Sequence, residues 1–226
     1  MKSVAFLLVI SIFIVPAQAT VIFEDDFEDG TLNKWTIDGR QQGTNLAEVV
    51  EIESDKIAHL QHTGFTEITI GKLLTYSPLL NFEFDLKSIV SSPYGPHDND
   101  YSAGGVVFDY LDESSNILGR VMYARSSSDY LFSFYNPLPN WHVFGINDNN
   151  FHTYSLNAAD LLSNLEIEYA SVRNVNFYFW AYASSDSYNS YADTWVDNVT
   201  VTPEPATLVL LAAGSVLALR RKRAGN

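Results

Sequence analysis

The sequence predicts an all-β domain, built as a two-sheet antiparallel β-sandwich. Apolar and polar residues alternate with a period of two in many short segments between residues 20 and 202, which is the repeat of a strand with one buried face. Clusters of Ser, Asn, Asp and Gly, which favour turns, separate these segments. About ten short strands joined by such turns are typical of a sandwich.

The strands can be placed along the chain from these patterns. Residues 81–87 alternate most clearly, with three apolar side chains predicted to face the core and three charged ones to face solvent. Residues 105–110 and 117–125 predict a hairpin around a turn at 111–116. The other predicted strands are 47–52, 57–61, 67–74, 130–135, 174–182 and 194–201, and only residues 158–165 predict a helical turn.

The first 19 residues predict a cleaved signal peptide. Lys2 precedes an apolar run at residues 4–15, and Pro16 is followed by Ala17-Gln18-Ala19, which has the small-x-small form that a signal peptidase accepts. The alternative is a buried N-terminal helix or a retained anchor. Cleavage after Ala19 would make Thr20 the mature N-terminus and place the domain (residues 20–202) outside the cytoplasm.

The last 24 residues, 203–226, predict a separate tail. A proline pair ends the preceding strand, and residues 206–219 are apolar and uncharged. As a helix this run would be about 21 Å long, shorter than a hydrocarbon core of ~30 Å. The four cations after it favour a transmembrane helix in the inner membrane with a cytoplasmic basic end. The motif residues are Pro203, Glu204 and Pro205, followed at the far end by Arg220, Arg221, Lys222 and Arg223.

This order of Pro-Glu-Pro, apolar helix and basic cluster resembles the PEP-CTERM sorting signal of Gram-negative bacteria. The resemblance implies that an exosortase recognises the tail and cuts near Pro203, Glu204 and Pro205. The protein would then be anchored transiently in the membrane and passed to the cell surface or extracellular matrix. The resemblance also implies an association with exopolysaccharide and biofilm. An ordinary C-terminal membrane anchor is the alternative.

Composition limits the class of partner. Residues 20–202 hold 26 of the 27 acidic residues and 8 of the 13 basic ones, a formal charge of −18. This sign argues against nucleic acid, because phosphate contacts need cations, while divalent cations and neutral glycans are compatible with it. A solvated, repulsive surface is the simplest explanation. The absence of cysteine excludes thiol catalysis and thiolate metal sites.

The two ends of the domain resemble jelly-roll carbohydrate-binding modules and concanavalin-like sandwiches. The resemblance lies in residues 23–30 (FEDDFEDG), with Leu32 and Trp35 after them, and in residues 195–201 (WVDNVTV). It implies that the first and last strands pair, and that acidic residues from them hold a structural calcium ion. Carried over, the candidate ligands are Asp26, Glu28 and Asp197. The alternatives are a strand edge protected by charge and a turn residue.

One strand carries aromatic residues that suit a sugar. Tyr178, Trp180 and Tyr182 share a face, about 6.6 Å apart at 3.3 Å per residue. Such a row suits rings stacked on successive sugar units, and these are the candidate glycan-binding residues. The alternative is that the row is core. Weaker candidates in polar stretches are Trp141, Tyr188 and Tyr191.

No catalytic residue is predicted. Residues 83–87 (EFDLK) match the Glu-x-Asp-x-Glu strand of concanavalin-like glycosidases except for the last acid, which is lysine. Nucleophile-elbow, phosphate-loop and zinc-helix motifs do not occur. His59 and His62 would face opposite sides of a strand. His97, Asp98 and Asp100 could supply metal ligands, although turn chemistry explains their loop better.

The sequence therefore predicts an exported, non-catalytic sandwich that contacts extracellular polysaccharide. The expected partners are signal peptidase, an exosortase-type enzyme, the inner membrane through the tail helix, and exopolysaccharide. Calcium is the one expected cofactor. One alternative is a matrix protein that acts by self-association, with calcium-bridged contacts. The other is a hydrolase or lyase of the polysaccharide.

Overall fold

The computed structural model describes residues 20–39, 44–63, 65–91, 102–128, 138–184 and 190–203. These residues form twelve strands and two short helical turns. The turns are α1 (Ala158–Leu162), capped by the Asn157 side chain, and a 3-10 turn (Tyr169–Ser171). The strands are β1 (Phe23–Asp25), β2 (Thr36–Gly39), β3 (Thr44–Ile52), β4 (Asp55–Thr63), β5 (Phe65–Thr75), β6 (Leu80–Ser91), β7 (Ser102–Leu111), β8 (Ile117–Ser126), β9 (Trp141–Gly145), β10 (His152–Asn157), β11 (Asn174–Ser184) and β12 (Tyr191–Pro203).

The strands form two six-stranded sheets, which confirms the predicted sandwich. The first sheet has the order β10-β6-β12-β4-β3, with β1 added to β12, and the second has the order β2-β5-β11-β7-β8-β9. Phe23 pairs with Val201, so the first and last strands lie together as expected. The described pairs are antiparallel except for β8 and β9, which run parallel.

The core lies between the inner faces of the two sheets. Phe82, Phe84 and Leu86 are 1%, 1% and 0% exposed, whereas Glu83 is exposed, so the alternation at residues 81–87 predicted the buried face correctly. On the facing sheet, Phe177 packs against Phe82 with 5.2 Å between ring centroids. Burying one such ring stabilises the fold by roughly 1.5–3 kcal/mol, so this aromatic layer holds the sheets together.

Most of the predicted strands are present. The hairpin of β7 and β8 is confirmed, as are the strands at 174–182 and 194–201 and a helical turn within 158–165. Strands β2, β9 and β10 were not predicted, because they are short and largely exposed or only half-buried. The predicted strand at 130–135 lies outside the described residues.

The predicted signal peptide and the tail from residue 204 onward also lie outside the described residues. In the part of the chain that the structure describes, no helix has the length and apolar character required to cross a membrane. The predicted transmembrane helix at residues 206–219 lies outside this part of the chain. The assignment of residues 1–19, 20–202 and 203–226 to three segments stays a prediction.

Gly105 lets β7 approach β8 closely. Its φ of +152° suits glycine, and a Cβ placed there would lie 2.0 Å from the carbonyl oxygen of Tyr123. It sits opposite Trp180 on β11 and Ala124 on β8. A side chain at this position would push β7 and β8 apart.

Candidate functional site

The two faces of β11 have different environments. Phe177 and Phe179 are 0% exposed and lie in the core between the sheets. Tyr178, Trp180 and Tyr182 point to the outer face of the second sheet, away from that core. The sequence therefore predicted correctly which side chains share a face.

The three outward rings are not equally accessible. Trp180 is 6% exposed and forms the centre of a second apolar cluster, whereas Tyr178 and Tyr182 are half-buried at its margin. Trp180 and Tyr182 are inclined at 35°, with 5.8 Å between centroids. Burial favours a packing role for Trp180, and its contact with a glycan stays a prediction. The other buried members of the cluster are Ala103, Val107, Met122, Ala124 and Val143.

A groove of about 510 Å³ runs along this outer face beside Tyr178. Gly71 of β5 lies on its floor, between Thr36 of β2 and Tyr178 of β11. A Cβ at Gly71 would lie 2.8 Å from the Cβ of Tyr178 and would fill this floor. The lining residues otherwise are polar for the most part: Asp38, Glu67, Thr69, Leu73, Asp109, Leu111, Ser115 and Asn176.

A buried ion pair supports one wall of the groove. Arg120 of β8 lies opposite Asp109 of β7 and donates to both carboxylate oxygens, through Nε and through Nη2 at 2.7 Å. The exposed fractions of the two side chains are 20% and 5%. The guanidinium carbon also lies 4.5 Å from the ring centroid of Trp141 and 5.9 Å from that of Tyr178. The pair therefore links both aromatic side chains to the sheet.

The electrostatics of this wall follow from burial and from Asp109. Burial opposes the charge on Arg120, but the hydrogen bonds and charge of Asp109 outweigh it and raise the pKa of the guanidinium. Burial raises the pKa of the Tyr178 hydroxyl, and the negative charge of Asp109 adds to this effect. Tyr178 therefore presents a neutral ring with a protonated hydroxyl at ordinary pH.

The acidic run near the N-terminus has a structural role that sequence reasoning missed. Asp25 is 2% exposed, and its Oδ2 accepts a hydrogen bond from the indole Nε1 of Trp35 at 2.7 Å. Its Oδ1 accepts from the backbone N–H of Phe27 at 3.1 Å and from Lys34 Nζ at 3.2 Å. The sequence pattern that could have revealed the burial of Asp25 is the period of two, because Phe23, Asp25 and Phe27 alternate with exposed residues. Asp26 is exposed and caps the N–H of Glu28.

The expected calcium ligands Asp26, Glu28 and Asp197 are brought together only in part. Asp197 is 5% exposed and pairs across the sheet with Asp85. Burial raises its pKa to about 6, and the nearby charges of Asp55, Asp85 and Glu28 act in the same direction. Within the described ranges, no three His, Asp or Glu side chains are grouped to hold a metal ion. The calcium site stays a prediction.

Replacing Asp197 with asparagine is expected to flatten the pH dependence of stability. The carboxyl ionises near 3.8 when unfolded and near 6 when folded, so the native state holds more protons between these values. Stability is therefore lost as pH rises through this window and is level above it. The measurement is the free energy of urea unfolding of D197N minus that of the wild type. We expect this difference to be about 1–2 kcal/mol more favourable to D197N at pH 7.5 than at pH 3.5.

The exposed turn residue Glu113 provides the control for this experiment, since E113Q makes the same chemical change away from the sheet. A difference between D197N and wild type that does not change with pH would contradict the prediction.

The remaining candidates are dispersed. Trp141 begins β9 and Tyr191 begins β12, so neither lies in the loop that the sequence suggested. Tyr188, His97, Asp98 and Asp100 lie outside the described residues. His59 stacks on Trp195 with 3.7 Å between centroids, whereas His62 is fully buried.

Comparison with known families decides the nature of the tail. Residues 201–223 carry a PEP-CTERM protein-sorting motif. The matched residues include Pro203, Glu204 and Pro205 as well as the basic cluster at 220–223. The PEP-CTERM motif implies a bacterial protein that is exported with a membrane-anchored sorting signal. Comparison with curated proteins gives no match.

Solved structures similar to the chain include jelly-roll carbohydrate-binding modules. A family 11 module from Clostridium thermocellum, in complex with a β-1,3-1,4-mixed-linked tetrasaccharide, is 14% identical with a TM-score of 0.40, over 80% of this chain and 94% of that one. The CBM22-1 xylan-binding domain from Paenibacillus barcinonensis Xyn10C is 9% identical with a TM-score of 0.42, over 83% and 97%.

Proposed function

We propose that this protein is an exported, exosortase-processed surface or matrix protein whose sandwich contacts extracellular polysaccharide without catalysis. The groove beside Tyr178 is the proposed contact site. Its volume of about 510 Å³ lies in the range of ligand sites, roughly 300–1,000 Å³. This groove on the outer face of the second sheet is the observation that carries the proposal.

The lining of the groove has the chemistry that a sugar chain requires. Sugar hydroxyls need hydrogen-bond partners, which Thr36, Thr69, Ser115 and Asn176 offer along the groove. Sugar CH faces need a flat apolar partner, which the ring of Tyr178 offers at one wall. The sorting motif supports the proposal independently, because an exported protein meets polysaccharide outside the cell.

Replacing Tyr178 with alanine is expected to weaken polysaccharide binding about tenfold, because loss of one stacking ring removes roughly 1–1.5 kcal/mol. The measurement is native affinity electrophoresis of the full-length chain through gels that contain exopolysaccharide from the producing bacterium. Tyr178→Phe keeps the ring and should keep most of the retardation. The control is Tyr169→Ala, which removes a 48% exposed tyrosine outside the groove.

Wild-type mobility that does not change with polysaccharide concentration would overturn the proposal. In that case self-association becomes the better explanation, and sedimentation with calcium and with a chelator would test it. Release of reducing ends during incubation would instead indicate a hydrolase or lyase. If a folded Tyr178→Ala variant binds as well as the wild type, the contact site lies outside the groove.

A further inference from the structure

The outer face of the first sheet is more apolar than contact with solvent requires. The outward residues of its edge strand β3 include Leu46, Val50 and Ile52, because the alternate residues Ala47 and Val49 pack against the core. Ile52 is 40% exposed. An antiparallel sheet with one face on the core normally turns polar residues outward. Apolar residues on the outer face therefore indicate an interaction surface.

The centre of this face is a pair of stacked rings. Trp195 of β12 stacks on His59 of β4, with 3.7 Å between centroids and 12° between planes. Asp193 Oδ1 lies 3.3 Å from Nε2 of His59 and accepts a hydrogen bond from Nε2 of Gln61 at 2.9 Å, so neighbouring side chains fix the rings. We define the Trp195 face as this ring pair with the outward residues around it, Leu46, Glu48, Val50 and Lys87.

Opposite charges lie on the two sides of the ring pair. The cross-strand register places Lys87 of β6 beside Trp195, and Glu48 of β3 beside His59. The four residues form one row across four strands, about 14 Å from end to end at 4.8 Å per strand. Lys87 Nζ lies 5.7 Å from the ring centroid of Phe151. Among the residues that the structure describes, neither Lys87 nor Glu48 takes part in an ion pair.

We propose that the Trp195 face binds a second copy of this chain and forms a two-fold dimer. A two-fold axis parallel to the strands, between β12 and β4, would place each Lys87 over the partner subunit's Glu48. It would also place each Trp195 over the partner subunit's His59. The row is therefore complementary to itself in charge and in shape, which is the property that a two-fold interface requires.

The size of the face fits a weak dimer. The sheet spans four strand spacings from β10 to β3, and β12 runs nine residue steps from Tyr191 to Thr200. These lengths give a face of roughly 19 by 30 Å, about 570 Å² on each copy. The total of about 1,100 Å² just reaches the size of a specific interface. The formal charge of −18 on residues 20–202 opposes association, but salt at 0.1 M screens this field beyond about 10 Å.

The dimer goes beyond the proposed function and does not depend on it. The groove beside Tyr178 lies on the second sheet, so both copies would keep this groove open. One dimer could then hold two polysaccharide segments, and two linked contacts bind more tightly than one.

The test is sedimentation velocity of the full-length chain in a density-matched detergent at 0.1 M salt. The wild type should change from monomer to dimer between about 1 and 100 μM, as expected of a small interface. Lys87→Glu should weaken the dimer at least tenfold, because each of two like-charge contacts about 4 Å apart lowers affinity about fivefold in water. The double variant Lys87→Glu with Glu48→Lys restores opposite charges and should recover most of the wild-type affinity.

Arg173→Glu is the matched control, because it makes the same change of net charge at an exposed residue outside the Trp195 face. It should leave the dimer unchanged, and equal weakening by both variants would assign association to net charge and overturn the proposal. Association that Lys87→Glu does not alter would assign it to another part of the chain, with the same consequence. A monomeric wild type over the whole range would overturn the dimer and leave the proposed function standing. If Lys87→Glu then abolished retardation by exopolysaccharide, the face would bind glycan instead.

Discussion

Replacing Arg120 with alanine is expected to destabilise the fold by about 3–5 kcal/mol, as the removal of one partner from a buried ion pair does. The variant leaves the carboxylate of Asp109, which is 5% exposed, without the two hydrogen bonds that now hold it. It also removes the guanidinium between Trp141 and Tyr178. Urea unfolding at pH 7 measures the loss.

A double variant separates the unpaired charge from the lost packing. Asp109→Leu combined with Arg120→Met removes both charges and keeps similar volume, so most of the stability should return. Arg173→Ala is the control, because Arg173 is exposed and donates to two backbone carbonyl groups near its own turn. A loss below about 1 kcal/mol for Arg120→Ala would mean that the pair contributes as little as a surface pair.

Replacing Asp25 with alanine is expected to cost about 3 kcal/mol. The indole N–H of Trp35 and the backbone N–H of Phe27 would lose their acceptor inside the fold, and a buried donor without a partner costs roughly 1–3 kcal/mol. Phe27 is fully buried with a φ of +57°, a strained backbone that Asp25 helps to hold. Thermal unfolding measures the change in stability, and the near-ultraviolet signal of the tryptophans, to which Trp35 contributes, reports the change in packing.

The adjacent Asp26 provides a control in the same acidic run. It is exposed and accepts a long hydrogen bond from the backbone N–H of Glu28 at 3.3 Å. Asp26→Ala should therefore cost less than about 1 kcal/mol. If Asp26→Ala were as damaging as Asp25→Ala, the run would act through its total charge, which the structure gives no reason to expect.

Much of the fold could be predicted because the face of a strand residue depends only on its parity. This rule placed Phe82, Phe84 and Leu86 of β6 in the core. It also placed Tyr178 and Tyr182 on the face of β11 that points away from the core. The rule did not predict how deeply each side chain on the same face is buried. Trp180 has the same parity as its two tyrosine neighbours but is 6% exposed, because the amount of packing depends on strands that are distant in sequence.

The candidate site could be predicted only in part for the same reason. Parity nominated Tyr178, but the groove beside it also needs Asp38 from β2, Thr69 from β5 and Asp109 from β7. These residues are dispersed over the chain, and their proximity follows from the order of strands in the second sheet. No local pattern marked Asp109 and Arg120 as partners, since their pairing follows from the register of one hairpin.

Sequence alone was enough to identify the sorting motif, the strand periodicity and the acidic balance of the domain, because each is a property of neighbouring residues or of composition. The folded structure was needed to show that Asp25 accepts a hydrogen bond from the indole of Trp35, and that Gly71 opens a groove beside Tyr178. Burial and hydrogen-bond partners come from residues that the fold brings together across long sequence separations. A local sequence pattern does not show which distant residues become neighbours in the fold.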